Sequence, residues 1–231
     1  MFEQVAGIVL DDLAAAARAA VNDDWRHEVG SGRVILAQYD AESVLVYQAY
    51  RPAIGRFAVQ HQFFGGEFKL GRMTWIKPNF LWMMYRSSWG ESPGQEVVLG
   101  VRIRRAAFDS LLRDAVHSTF RPGLYAEEDH WRERVANSDV RLQWDPDHAP
   151  SGQALARRAV QLGLRGAATV AYSREWIVRI EDVSGFVAEQ RHALRTGGVK
   201  NLKTPREQPY PVTPEVAAHL ELDVVPGPAA G

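Results

Sequence analysis

The chain has 231 residues, of which 46% are hydrophobic and 24% charged, a composition typical of a globular protein. Its formal net charge is −1, so no global positive field would draw it onto nucleic acid or an anionic membrane, and any such binding must come from a local patch. Cysteine is absent, which excludes disulfides, thiolate nucleophiles, zinc ribbons and iron–sulfur clusters.

The apolar runs and the N-terminal residues bear on the compartment. The apolar and aromatic run 80–85 is far shorter than the roughly 18 residues that a membrane helix needs. The N-terminus has no basic start, and Asp11 and Asp12 interrupt its apolar stretch, which is not typical of a signal peptide. We therefore expect a cytoplasmic protein that makes no membrane contact.

The first part of the chain predicts a mixture of helices and strands. Residues 9–21 are rich in alanine and predict a helix. The runs 33–40 and 44–50 are β-branched and aromatic, and they predict two strands separated by a polar turn. Residues 52–64 carry apolar side chains at helical spacing behind a proline, which predicts a helix, and residues 68–76 predict a further strand.

The middle of the chain continues in the same way. Pro78 ends the strand and Asn79 opens the segment 80–89. Residues 95–104 alternate clearly and predict a strand, and residues 106–117 predict a helix.

Residues 120–138 have the composition of a polar connection, and 140–144 predict a short strand. A turn is predicted at residues 145–147. Residues 159–165 fit either a helix or a strand.

Near the C-terminus, residues 175–180 predict a strand and residues 186–194 a helix. Six prolines lie between Pro205 and Pro228, which predicts an extended or disordered tail over residues 197–231 behind a single domain of residues 1–196. Short strands and helices that alternate without a regular βαβ rhythm predict an α+β fold with a mixed or mostly antiparallel sheet.

Several motifs of known chemistry are missing from the sequence. Residues 30–35 lack the last glycine of a dinucleotide-binding loop, and there is no P-loop and no GxSxG elbow. The seven histidines are scattered, with no pair at i,i+4, so we expect no metal. Asp145, Asp147 and His148 could meet a metal in principle, although a solvated turn is the commoner outcome.

Residues 71–89 carry the densest chemistry in the chain. Three of the seven tryptophans lie there beside Arg72, Lys77 and Arg86. Rings interleaved with cations can stack a base or a nicotinamide while the cations hold phosphates. For any single one of these rings a place in the core is the commoner outcome, because buried aromatic side chains dominate packing energetics. The basic residues indicate more, since a helix that buries its rings must place its charges at the rim.

Four stretches together resemble a widespread domain family of unknown function. They are residues 47–50, 71–89, 140–146 and 175–183, and the likeness covers about residues 30–190. Its specific motifs are YQAY, GRMTWIKPNFLWMMYRSSW, VRLQWDP and EWIVRIEDV. Membership of that family assigns no activity.

A second resemblance points to chemistry. Residues 45–50, 71–85, 95–100 and 174–179 are similar, in the same order, to four stretches of the catalytic domain of poly(ADP-ribose) polymerases and their ADP-ribosyltransferase relatives. In that superfamily the stretches form the first NAD-binding strand, the next strand and helix with a nicotinamide-stacking tyrosine, a third strand, and a strand that opens with the catalytic glutamate. The resemblance implies a split sheet flanked by helices and NAD as substrate.

The resemblance also implies residue roles. Glu175 would be the catalytic carboxylate, which stabilises the positive charge that develops on the ribose as the bond to nicotinamide breaks. Gln48 stands in place of the usual histidine and could bond a ribose hydroxyl, and Ala49 replaces a glycine. Thr74 or Trp75 occupies the place of the stacking tyrosine. The other implied NAD-binding residues are Tyr47, Arg72, Lys77, Trp82, Tyr85 and Arg86.

Two functions follow from this pattern. The first is an NAD-dependent ADP-ribosyltransferase that acts on a protein, nucleic acid or small-molecule acceptor. The alternative is a catalytically degenerate module that binds a nucleotide or nucleic acid in the same aromatic and basic cleft, because Glu175 alone of the three signature side chains is present. A third function, that of a phosphate-transferring relative that acts on RNA ends with NAD, would need a group of basic residues around the acceptor phosphate, and the sequence does not identify one.

Overall fold

Two five-stranded sheets organise the chain in the computed structural model, which describes residues 21–22 and 29–223. In chain order the strands are β1 (Val21–Asn22), β2 (Gly32–Arg33), β3 (Leu36–Tyr39), β4 (Ser43–Tyr50), β5 (Thr74–Ile76), β6 (Val97–Arg104), β7 (Val116–His117), β8 (Val140–His148), β9 (Ala154–Leu164), β10 (Ile177–Asp182), β11 (Thr204–Pro205) and β12 (Gln208–Pro209). The α-helices of the described residues are α1 (Pro52–His61), α2 (Phe80–Ser87), α3 (Arg105–Asp114), α4 (Glu128–Asn137), α5 (Gly166–Arg174), α6 (Ser184–Gly197) and α7 (Pro214–His219). Strands β1 and β11 form a separate pair.

The first sheet has the order β10-β6-β4-β3-β12, and every pairing in it is antiparallel. Strand β4 is buried on both faces, which explains its almost continuous apolar sequence. Val44 and Val46 face the larger core, while Leu45 and Tyr47 face a smaller one that α2 and α6 cover. Because successive side chains of a strand point to opposite faces of the sheet, β4 contributes to two separate hydrophobic clusters.

The second sheet is built around β9, the longest strand. It pairs in parallel with β2 and antiparallel with β8 and β5, and β7 joins β8 in parallel. Leu142, Leu162 and Leu164 point from this sheet into the larger core, so its other face is left for polar residues. These pairings confirm the prediction of an α+β fold with a mixed, mostly antiparallel sheet.

The two sheets meet where β4 leaves its neighbour β3. Strand β3 pairs with β4 only at Leu45 and Val44, and further along β4 the backbone of Tyr47 bonds to Lys77 instead. The Tyr47 N–H donates to the Lys77 carbonyl at 2.7 Å, and the Lys77 N–H donates back at 3.3 Å. Beyond this bridge, side chains of β4 and not its backbone contact β5, and a cleft lies at this end of β4.

Most strongly periodic segments form the predicted elements. Strands over 44–50 and 95–104 and helices over 52–64 and 186–194 are confirmed, within a few residues at their ends. The segment after Asn79 is a helix, and the Asn79 side chain caps it by accepting from the Trp82 N–H at 2.7 Å. The helix predicted over residues 9–21 lies outside the described residues, except for Val21.

Other boundaries differ from prediction. Strand β8 does not end in a turn at 145–147 but runs to His148, with an irregular register between Pro146 and His148. The polar connection 120–138 contains α4, whose residues are all at least partly exposed, so it lacks the apolar face that would have revealed it. Residues 116–117 form a strand and not the end of a helix.

The proline-rich segment from Gly197 packs onto the domain as far as Asp223. Leu202, Tyr210 and Leu220 are buried, and β12 extends the first sheet at its edge. This differs from the predicted extended or disordered tail because the prolines occupy positions that need no N–H ladder, such as short edge strands and the first turn of α7. Residues 224–231 lie outside the described part.

Within the described ranges, no helix combines the length and the apolar character that crossing a bilayer requires.

Candidate functional site

A cleft of about 750 Å³ opens at the split between the two sheets. Its walls come from the end of β4, the start of α1, the loop before β5, strand β5 itself, α2, and the polar face of β8 and β9. The side chains that matter for its chemistry are Gln48, Ala49, Tyr50, Arg51, Glu67, Lys69, Arg72, Thr74, Trp75, Lys77, Arg86, Gln95, Gln143 and Gln161. Most of the polar side chains of the predicted site therefore line one cavity.

Positive charge dominates the cleft. Five cations line it, and they are Arg51, Lys69, Arg72, Lys77 and Arg86. Glu67 is the one carboxylate among the described lining residues, and it pairs with Arg51 at 2.5 Å. The other four cations form no ion pair with any described residue. A protein with a net charge of −1 thus concentrates positive charge in this cavity.

Lys77 is the most buried of these cations, with 5% of its surface exposed. Its backbone is held by the bridge to Tyr47 and follows β5 directly, so both sheets fix the point from which the side chain extends. Burial is the main cause that lowers the pKa of Lys77, the nearby Arg86 charge also lowers it, and Asp145 acts in the opposite direction, so that the pKa is about 8. No described group accepts a hydrogen bond from its ammonium.

Gln48 is a buried amide in the cleft wall, where its hydrogen bonds are structural. Its Nε2 donates to Thr74 Oγ1 at 2.7 Å and to the Trp75 carbonyl at 3.0 Å, and its Oε1 accepts from Tyr172 Oη at 2.6 Å. Burial raises the pKa of Tyr50, another partner of this amide, to about 12. The side chain joins β4, β5 and α5, so it has little hydrogen-bonding capacity left for the predicted ribose contact.

The polar wall of the second sheet was not among the predicted site residues. Gln143 Nε2 donates to Asp145 Oδ1 at 2.8 Å, and Gln161 Nε2 donates to Asp145 Oδ2 at 2.6 Å. Trp75 stands beside them, half-buried, with its ring over Gly163. The available signal was the alternation of β8, in which residues 143 and 145 share a face.

The structure brings most of the predicted residues together but not all. Ala49, Arg72, Thr74, Trp75, Lys77 and Arg86 line the cleft with Gln48. Thr74 is buried and its hydroxyl is bonded to Gln48, so the aromatic face at this point belongs to Trp75.

Three predicted aromatic residues lie away from the cleft. Tyr47 points to the opposite face of β4, where its hydroxyl donates to Gln38 Oε1 at 3.1 Å. Trp82 and Tyr85 stack with His148, and the ring centroids of Tyr85 and His148 are 3.5 Å apart. The predicted cofactor-binding roles of these three rings are therefore not supported by their positions.

Glu175 is also not where the sequence predicts it. It is the C-terminal cap of α5, with helical backbone angles, and its N–H donates to the Ala171 carbonyl at 2.8 Å. Its side chain is exposed and is not part of the cleft. The helix continues through Arg174, and β10 begins only at Ile177, so Glu175 does not open the strand.

The described residues contain no group of three or more histidine, aspartate or glutamate side chains that could hold a metal ion. The three residues considered for a metal have other partners. Asp145 holds the two glutamines, Asp147 pairs with the buried Arg157 at 2.6 Å, and His148 stacks on Tyr85.

Comparison with known proteins identifies a family without an activity. No curated protein matches the chain. A family model described as a domain of unknown function, DUF4291, matches residues 34–210. This range includes all of the cleft-lining residues and all four stretches that indicated such a family. The chain therefore belongs to the DUF4291 family.

Proposed function

We propose that the cleft binds a ligand that carries phosphate groups, with a nucleotide such as NAD as the first candidate. The observation that carries the proposal is the set of five cations that line one cavity, where the described lining residues include one carboxylate, Glu67, which is already paired with Arg51. Unpaired positive charge of this density in a concave site favours an anion of several charges.

Lys77 strengthens the case because it is largely removed from water at the cleft and its ammonium has no partner among the described residues. A bound phosphate would supply both the opposite charge and the acceptor oxygens that the described protein groups do not provide. Arg72 and Arg86 are exposed at the same cavity, and their planar guanidinium groups suit bidentate contacts with phosphate oxygens.

Size and shape fit a ligand of nucleotide dimensions. Small-molecule sites usually enclose about 300–1,000 Å³, and the cleft measures about 750 Å³. Trp75 adds an aromatic face on which a planar ring can stack. A nucleotide offers the ring and the phosphates in one molecule.

The geometry gives less support to ADP-ribosyl transfer than to binding. Transfer needs a carboxylate beside the ribose, and Glu175 is exposed outside the cleft. Glu67 is paired with Arg51, and Asp145 is held by two glutamines. The likeness to ADP-ribosyltransferases therefore rests on the order of the four sequence stretches, and transfer is tested by the experiment below as an additional outcome.

Calorimetric titration tests the proposal. Pyrophosphate, ADP and NAD are titrated into the protein and into the Lys77→Met and Arg86→Ala variants. We expect binding that weakens with salt, and a loss of about 10- to 100-fold in affinity in either variant, since each removes a charge-assisted contact. Arg113→Ala, which removes an exposed cation of α3 outside the cleft, is the matched control and should bind normally.

Three other results would change the proposal. If none of the three ligands binds at millimolar concentration, the proposal is wrong. Tighter binding of a single-stranded oligonucleotide than of ADP would identify nucleic acid as the ligand. Release of nicotinamide from NAD that is lost in Glu175→Gln would show that the protein cleaves the nicotinamide–ribose bond in spite of the position of Glu175, and ADP-ribose bound to an acceptor would then identify the reaction as transfer.

A further inference from the structure

Two glutamines face each other across the polar wall of the cleft. Gln143 on β8 pairs directly with Gln161 on β9 in the antiparallel register. Directly opposed residues have side chains about 5 Å apart on the same face of a sheet. Both side chains line the cleft, so a ligand that lies against this wall meets the two amides together.

Asp145 fixes the orientation of both amides. Each glutamine donates one N–H to a different oxygen of its carboxylate, at 2.8 Å and 2.6 Å. A carboxylate can only accept hydrogen bonds, so each Nε2 must point toward Asp145. Neither amide can therefore be flipped so that its Oε1 and Nε2 change places. Neither Oε1 is engaged by a described residue. The pair therefore presents carbonyl acceptors and the remaining N–H donors to the cleft.

Trp75 supplies a flat surface next to these amides. It pairs with Gly163 on β9, two residues from Gln161 and on the same face of the sheet. A Cβ atom at position 163 would lie 2.9 Å from the indole, so only glycine lets the ring lie over the strand. The ring is half-buried and lines the cleft beside the glutamine pair.

We infer that Gln143, Gln161 and Trp75 form a subsite for adenine, contacted at the edge where its N6–H donor lies beside the N7 acceptor. A glutamine amide makes two parallel hydrogen bonds with that edge, and a tryptophan face stacks on the ring. The inference rests on the proposed function, in which Lys77 and Arg86 hold the phosphates of the same ligand. Asp145 is a positioning residue that acts through the two glutamines.

The test separates the base from the phosphate. AMP, IMP and ribose 5-phosphate are titrated by calorimetry into the full chain. Ribose 5-phosphate lacks the base, and IMP has an oxygen acceptor in place of the N6 donor of AMP, so the O6 and N7 edge of IMP offers two acceptors and no donor. We expect AMP to bind at least about 10-fold more tightly than ribose 5-phosphate and several-fold more tightly than IMP.

Variants then assign the preference to the glutamines. Gln161→Leu should remove the preference for AMP over IMP and leave the affinity for ribose 5-phosphate unchanged. Asp145→Asn offers an N–H₂ group where a carboxylate oxygen stood, so one glutamine must turn its Oε1 toward it. The AMP-to-IMP affinity ratio should fall, while the affinity for ribose 5-phosphate should not, because a negative charge near Lys77 is removed.

The outcomes distinguish this inference from the proposed function. Equal affinity for AMP and ribose 5-phosphate would overturn the base subsite while phosphate binding stands. Equal affinity for AMP and IMP, both well above ribose 5-phosphate, would overturn the role of the glutamines. If pyrophosphate, ADP and ribose 5-phosphate all fail to bind, it is the proposed function that fails.

Discussion

Replacing Lys77 by methionine should weaken ligand binding and at the same time stabilise the folded protein. Methionine has the length of the lysine stem and no charge, so it fills the same space without a buried ammonium. Lys77 is 5% exposed and has no described partner for its charge. A charged side chain that destabilises the free protein but binds the ligand should show both effects when it is replaced: the free energy of unfolding rises and the affinity for the ligand falls.

The size of the stability gain follows from the pKa. The pKa of Lys77 falls from 10.5 to about 8 on folding, and 1.36 kcal/mol per unit gives a penalty of about 3 kcal/mol for the charged form. Below about pH 8 both the folded and the unfolded chain carry the proton, so the penalty is present in full. Between about pH 8 and 10.5 the unfolded state binds more protons, and the free energy of unfolding contributed by Lys77 rises with pH.

Urea unfolding of the wild type and Lys77→Met at about pH 7 and about pH 9.5 measures this difference. We expect the variant to be more stable by about 2–3 kcal/mol at the lower pH and the gap to narrow at the higher pH. Tyrosines that titrate in the alkaline range affect both proteins alike and cancel in the comparison. Lys69→Met removes an exposed cation of the same cleft and should leave stability unchanged.

A result in the other direction would refute the reasoning. If Lys77→Met is less stable than the wild type at about pH 7, and the gap is the same at both pH values, the ammonium is already satisfied inside the protein. Lys77 would then need no bound anion to compensate its charge. The main physical support for phosphate binding would be lost.

Two further changes test the surroundings of the cleft. Tyr172→Phe removes the hydrogen bond to the buried Gln48 amide and should lower the free energy of unfolding by about 1–3 kcal/mol in a urea titration. Gly163→Ala places a methyl group 2.9 Å from the Trp75 indole, so calorimetry should show a larger loss of affinity for AMP than for ribose 5-phosphate, whereas Gly185→Ala, with no atom within 4 Å, should change neither.

The parts of the fold that could be predicted from sequence are those with a strong local period. Residues 44–50 and 97–104 are long apolar strands, and residues 80–87 follow an asparagine cap. The failures have one cause. Helix α4 has no apolar face, and the prolines after Gly197 find edge positions that only the finished sheet provides, so tertiary context decided both.

The site divides in the same way. The cations of the cleft that could be predicted are Arg72, Lys77 and Arg86. They lie within one short segment, in which the local sequence determines both the strand and the helix. Gln143 and Gln161 come from different strands, and they are neighbours only because of the register between β8 and β9. Since β9 could not be distinguished from a helix by its sequence, the register could not be derived, and the amide pair was missed.

The contrast between Glu175 and Lys77 shows what fixes a functional side chain. The place of Glu175 depends on where α5 stops and β10 starts, and a shift of two residues in that boundary moves the carboxylate from a strand to an exposed helix end. Lys77 follows a strand that is paired to β9 on one side and is itself bonded to Tyr47 on the other. A side chain anchored by two sheets keeps its place in the cleft whatever happens at a helix end, and this is why the chemistry of the protein should be sought around Lys77.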